Sequence, residues 1–200
     1  IDSNLTTELS LNNKDVKKLY NYVNNKNIDY ASYKNRGKTI KWDYLSLVTM
    51  YNIPQNYVLK DEKNIEYVDS YSFLDKYREI FGSDLTISKE EQNTTTCGAV
   101  NYKNDVYYPN WYCKEKSDDS IIVTYLKNVT IDKEYLNINK YYAFIVKTDE
   151  DTFDLYSSDE KEEKTLIATN LSIYEISNYI NEMNIMSYRF KKINNQYYLN

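Results

Sequence analysis

The strongest constraint on what this chain can fold into is a change of hydrophobic period at Cys97. Before it, apolar residues recur at helical spacing; after it they alternate as strands do. Val16, Leu19, Tyr20 and Val23 fall at i, i+3, i+4 and i+7 and predict a helix over Asn13–Val23, capped by Asn13. Asn24–Lys38 is polar and holds Gly37, so it reads as a loop. A second helix is predicted over Thr39–Tyr51, burying Trp42, Leu45, Leu47 and Val48 and stopping before Pro54. Gln55–Val68 favours neither period. Ser72 and Asp75 resemble a capping box, Phe73, Leu74, Tyr77, Ile80 and Phe81 form an apolar stripe, and Gly82 stands where a C-terminal cap belongs. Ser83–Thr96 reads as a polar loop.

Ile121–Leu126 and Tyr141–Thr148 carry apolar residues on both faces, as central strands do. Asp149–Asp151 turns the chain into a strand at Thr152–Ser157, Asp159–Lys164 is a solvated tip, and Leu166–Ala168 is a short strand. Over Leu171–Met183, Ser172 and Glu175 match a capping box, and Leu171 and Ile176 occupy hydrophobic-staple positions, predicting a helix. Ser187–Ile193 alternates, and Asn194-Asn195 turns it into a last strand, Gln196–Leu199. Helices first and an antiparallel meander afterwards predict an α+β fold, with the N-terminal helices on one face of a curved antiparallel sheet. A length of 200 residues suits one domain: a linker over 1–8, a helical part over 9–68, and a helix plus sheet over 69–200.

Composition narrows the chemistry. There is no His, which removes the usual general base near neutral pH, the commonest zinc ligand and the partner of a Ser or Cys nucleophile. A net charge of −5 without a basic run argues against nucleic acid and anionic lipid surfaces. No apolar run reaches the roughly 20 residues of a membrane span, so this segment is expected not to insert directly into a membrane. The chain starts at Ile1 rather than Met, so an upstream leader or anchor is expected. The 24 tyrosines against 5 phenylalanines predict half-wet strand faces, since a buried phenol needs a partner for its hydroxyl.

Cys97 and Cys113 are the only cysteines. Two thiols without His leave a tetrahedral metal site half empty. Between them two β-rich runs flank Asn104-Asp105, a pair that tolerates the left-handed turn of a tight hairpin. Such a hairpin puts Cys97 opposite Tyr112, and a one-residue bulge near Pro109 would move it opposite Cys113. The preferred reading is a disulfide, contributing about 3 kcal/mol in the chain-entropy model and locating the chain in an oxidising compartment. Two buried thiols are the other.

Glu8–Val23 (ELSLNNKDVKKLYNYV), Ser72–Gly82 (SFLDKYREIFG), Ser187–Asn200 (SYRFKKINNQYYLN) and the CGAVNYK run from Cys97 together resemble a loosely defined group of uncharacterised extracytoplasmic proteins of low-GC Gram-positive bacteria. Members are usually lipoproteins or sit behind one membrane anchor. The resemblance implies an extracytoplasmic location and a helix-on-curved-sheet shape of cystatin or NTF2-like kind, and it brings no active-site residues.

Tyr107, Tyr108, Trp111 and Tyr112 cluster on the predicted hairpin as a binding surface for a sugar or a protein, or as sheet packing. Asp149–Asp154 fails the calcium-loop pattern because Asp154 stands where glycine is required. Glu66, Asp69, Glu134 and Asp154 are arguable members of a carboxylate pair for glycoside hydrolysis, with none favoured. Asn93-Thr94-Thr95 and Asn128-Val129-Thr130 match glycosylation sequons, which carry little weight in the bacterial source that the resemblance implies. No catalytic, cofactor or metal residues are assigned. The functional expectation is a non-enzymatic extracytoplasmic domain that binds a protein or a glycan. A carboxylate-dependent glycan hydrolase and a sugar-binding module built on the aromatic hairpin are the alternatives.

Overall fold

Asn13 starts the first helix as its short amide predicts, its Oδ1 accepting the N–H of Asp15 at 2.9 Å and of Val16 at 3.3 Å. In the computed structural model, residues 6–83, 87–89, 94–113 and 120–200 are described. The elements run β1 (Thr7–Leu9), α1 (Lys14–Val23), α2 (Lys26–Asn35), α3 (Trp42–Tyr51), a 3-10 turn (Gln55–Tyr57), β2 (Leu59–Lys60), β3 (Glu66–Asp69) and α4 (Ser70–Phe81). They continue with β4 (Val100–Lys103), β5 (Val106–Pro109), β6 (Ser120–Ile131), β7 (Tyr135–Lys147), β8 (Phe153–Tyr156) and β9 (Leu166–Leu171). A second 3-10 stretch (Ile176–Glu182), β10 (Asn184–Ile193) and β11 (Gln196–Leu199) complete the order. All strand pairings described below are antiparallel and the class is α+β. The strands divide between two sheets, where one curved sheet was expected. The chain forms two compact units, Ile1–Tyr20 with Lys116–Lys192, and Asn21–Glu115 with Ile193–Asn200.

In the first unit the strand order is β1-β6-β7-β10, with β8 pairing the C-terminal half of β7 and β9 pairing β8. The long strand β7 is the spine. Its Leu136, Ile138, Lys140 and Tyr142 alternate onto a buried face beside Val129 of β6 and Tyr188 and Phe190 of β10. Lys140 is the unusual member of that face, with its ammonium 5.3 Å from the Tyr188 ring and 5.7 Å from the Tyr20 ring. Rings rich in negative potential offset part of the cost of burying the charge. Further along β7 the other face is covered too, by a cluster of Ala143, Ile145, Leu155, Leu171, Ile176 and Met183.

Two expectations fail in this unit for local reasons. Thr7 and Glu8, read as linker, belong to β1 and pair with Ile131 and Thr130; residues 1–5 lie outside the described residues. Over Leu171–Met183 the capping contact forms, with Ser172 N–H donating to the Glu175 carboxylate at 2.8 Å, and Leu171 and Ile176 share the core cluster. The segment nevertheless winds as 3-10 turns broken at Tyr179 instead of an α-helix. Its body, ISNYINE, is built from β-branched, aromatic and Asn residues that lose rotamer freedom or compete for backbone bonds in an α-helix. Burial of Ile176 and Met183 fixes its ends.

In the second unit the four-stranded sheet has the order β2-β3-β5-β4. Asn24–Lys38, expected as loop, contains α2: the Asn25 side chain caps it, accepting from Asn27 N–H at 2.8 Å, and Ile28, Ala31 and Tyr33 are buried. Its apolar residues are too few to signal a helix alone; burial stabilises it. The cap of α4 is Asp69, which accepts Ser72 N–H at 2.8 Å and the Ser72 hydroxyl at 2.7 Å, so the helix starts a little before the Ser72–Asp75 pattern suggests. Gly82 ends it in a left-handed conformation (φ 79°), with its N–H on the Arg78 carbonyl at 2.9 Å. Parts of the Ser83–Thr96 loop (84–86 and 90–93, including Asn93 of the first sequon) lie outside the described residues.

Ile176 is fully buried at the start of a segment with little intrinsic helical stability. Ile176→Ala is expected to destabilise the fold by about 2–5 kcal/mol, whereas Tyr174→Ala, at 87% exposure two residues earlier, should change it by less than about 0.5 kcal/mol. Chemical denaturation of the two variants measures the difference.

Candidate functional site

The aromatic hairpin is built from its turn outward. Asn104 and Asp105 adopt φ of 50° and 61°, the left-handed pair of a two-residue hairpin, and set Lys103 opposite Val106 and Val100 opposite Pro109. Beyond the ladder the chain departs from the anticipated bulge near Pro109. The extra residue is on the first strand: Asn110 accepts from Gly98 N–H at 2.9 Å and donates to the Ala99 carbonyl at 2.8 Å. Gly98 takes φ 85°, and a Cβ there would stand 2.5 Å from the Tyr51 ring, so glycine meets a backbone and a space demand together. Outside the ladder, Cys97 and Cys113 join in a disulfide with Cα atoms 4.9 Å apart. Helix α3 holds this base in place. Asp43 accepts the hydroxyls of Thr94 at 2.9 Å and Thr96 at 3.1 Å, and buried Ser46 accepts Val100 N–H at 3.2 Å.

Strand alternation separates the four aromatic residues. Tyr107 is 0% exposed and stacks on Phe73, with ring centroids 4.1 Å apart, in a core that includes Met50, Val68 and Val100. Of the two readings, packing holds for Tyr107, which contributes nothing to a surface. Trp111 is half-buried against Tyr51 at 5.4 Å. Tyr112 is 97% exposed beside the disulfide. Tyr108 points to the open side of the sheet.

On that open side Tyr108 meets residues that the sequence did not single out. Tyr67 of β3 lies beside it, ring centroids 6.0 Å apart, and Leu59 of β2 pairs with Tyr67. Asn101 of β4 pairs with Tyr108 from the other flank. The result is a cross-strand row, Leu59–Tyr67–Tyr108–Asn101. Leu59 is 44% exposed, and Tyr57 and Ile65, two residues from Leu59 and Tyr67, are 49% and 48% exposed. No charged side chain interrupts the row. Strands of two and four residues are too short to display a period, which is why Gln55–Val68 gave no signal.

Two of the four candidate carboxylates, Asp69 and Asp154, have structural work. Asp69 caps α4; burial raises its pKa, but hydrogen bonds from Ser72 outweigh this and hold it below the usual aspartate range. Asp154 accepts Asn170 N–H at 3.1 Å, and Asp149 accepts Glu150 N–H at 2.8 Å within its turn. Glu66 lies in β3 of the second unit and Glu134 in the turn before β7 of the first. Among the described residues no helix is long and apolar enough to cross a membrane.

Under the hairpin, the Tyr77 and Tyr107 hydroxyls are buried and neither meets a partner in good hydrogen-bond geometry among the described residues, although Ser70 lies near that of Tyr107. Burial, then the neighbouring phenol, pushes Tyr77 up to about 12, and burial, then Tyr102, pushes Tyr107 up to about 12 against an opposing effect of Ser70. Raised folded-state values mean that the unfolded chain loses these protons first, from pH about 10. Stability is therefore complete below pH 10 and falls between about 10 and 12. Tyr107→Phe removes an unsatisfied hydroxyl and should stabilise the fold by about 1 kcal/mol while flattening this alkaline decline; denaturant midpoints against pH, read with phenolate absorbance, test both. Cys113→Ser should cost about 3 kcal/mol without reductant and leave variant and reduced wild type alike with it, as thermal unfolding would register.

Comparison of the chain with models of known protein families, with curated proteins and with solved structures finds no match in any of the three.

Proposed function

We propose that this chain is a non-enzymatic protein-interaction domain of an extracytoplasmic protein, docking a partner on the open face of its four-stranded sheet. The observation that carries the reading is the row Leu59–Tyr67–Tyr108, free of charge, with Leu59 exposed and both tyrosines half-buried. Interface centres are depleted in charged side chains and rich in Tyr, and a flat sheet supplies them at little conformational cost. Leu59 at one end of the row and exposed Ile65 two residues from Tyr67 suit a protein better than a sugar, whose hydroxyls need polar partners. The Cys97–Cys113 disulfide supports the location, since such bonds persist in oxidising compartments.

The test is site-specific photo-crosslinking in cells that export the chain. A benzophenone amino acid placed at Tyr67 should capture one defined protein species, Leu59→Asp should abolish that adduct, and the same probe at exposed Tyr174 should not form it. No protein adduct from position 67, equal adducts from both positions, or an adduct indifferent to Leu59→Asp would each overturn the reading.

A further inference from the structure

The N-terminal half of β7 is one-sided. Leu136, Ile138, Lys140 and Tyr142 are buried, while Tyr135, Asn137, Asn139 and Tyr141 alternate onto the opposite, half-exposed face. Register assembles a platform around them. Asn137 lies between Thr130 of β6 and Arg189 of β10, and Asn139 between Asn128 and Ser187. Tyr141 lies between Tyr125 and Ile185, and Lys191 faces Tyr135. The Asn139 amide donates to Asn128 Oδ1 at 2.8 Å and its oxygen accepts the Ser187 hydroxyl, so these three side chains are held in fixed orientation.

Three cations stand on this face. The Arg189 guanidinium lies 3.5 Å from the centre of the Tyr135 ring, and the Lys127 ammonium 5.6 Å from that of Tyr141. Lys191 is half-buried next to Tyr135. None of the three has a carboxylate partner among the described residues; two carboxylates stand in these rows, Glu8 on edge strand β1 opposite Thr130 and Asp132, whose side chain accepts the Tyr135 N–H. In a chain of net charge −5, three cations without an ion pair among the described residues, two of them seated on aromatic rings, give this face a local positive character.

We propose that this face binds an acidic, carboxylate-bearing polysaccharide. Amides and hydroxyls offer the paired donors and acceptors that sugar hydroxyls require. Tyr135 and Tyr141 stand about 20 Å apart along the strand at the two ends of a linear site, Tyr141 offering only the part of its ring that its packing against the Ala143 and Ile145 cluster leaves exposed. The planar fork of Arg189 accepts a carboxylate through two parallel bonds, which a neutral sugar cannot exploit. The sequence hid the site because its residues come from three strands, and each of them taken alone reads as solvated surface.

Affinity electrophoresis of the whole chain tests this, with polygalacturonate, dextran or oligothymidylate cast in the gel. Because the protein is itself acidic, a general charge effect would oppose retardation by a polyanion. Polygalacturonate is expected to retard the chain at low salt and dextran is not. Arg189→Ala should weaken retardation about tenfold and Arg189→Lys nearly as much, while Lys60→Ala in the other unit should leave it unchanged; circular dichroism confirms that the exposed Arg189 is dispensable for folding. No retardation by polygalacturonate, equal retardation by dextran, stronger retardation by oligothymidylate, or a response indifferent to Arg189 would overturn the proposal. The Leu59→Asp variant should bind polygalacturonate normally, so this site and the protein-docking face stand or fall separately.

Discussion

Antiparallel pairing with a period of two buries one row of side chains and leaves the next in water, and in both units this sidedness decides which residues are available to a ligand. In the four-stranded sheet Val68, Tyr107 and Val100 share the buried face, and a step of one residue turns Tyr67, Tyr108 and Asn101 to the other. In the larger sheet the buried row is Val129, Ile138 and Tyr188, and the same step exposes Asn128, Asn139 and Ser187. A slip of one residue in either ladder would exchange core for surface. The turns that fix register therefore determine surface chemistry as well as fold: Asn104-Asp105 for the aromatic hairpin, and the Asp132 side chain accepting Tyr135 N–H at 2.8 Å for the hairpin of β6 and β7.

The aromatic hairpin depends on a second layer of contacts. Its strands are short, and two such strands alone are marginal in water. Burial of Tyr107 and Val100 against Phe73 and Met50 supplies most of the stabilisation, and the polar ties from Asp43 and Ser46 to its base orient it. The disulfide closes the same base. Unsatisfied hydroxyls at Tyr77 and Tyr107 lie in the middle of this core, where phenylalanine would pack with less penalty.

Legibility followed the range of the interaction. Features set by neighbours in the chain were readable: the Asn13 cap, the Asn104-Asp105 and Asn194-Asn195 turns with their left-handed φ, the Gly82 cap and the cysteine pair. Features set by distant contacts were not. Helix α2 exists because Ile28 and Tyr33 are buried by other elements, and the stretch from Ile176 misses α geometry despite a capping contact that does form. Tyr107 and Tyr108 are identical letters in sequence; only their pairing with β3 decides that one is core and the other surface. Neither open-face row could be assembled without register, because its members are strangers in sequence.

Both tryptophans of the chain, Trp42 and Trp111, belong to the second unit. Trp42 sits among Phe73, Tyr77 and Tyr107 at 5.7–6.3 Å, near enough to collect excitation from its tyrosine neighbours, and Trp111 lies two residues from the disulfide. Indole emission therefore watches one half of the molecule while the other stays dark. Melting followed by this light, set beside melting followed by backbone dichroism, separates the loss of the hairpin unit from the loss of the β7 platform without any label being attached.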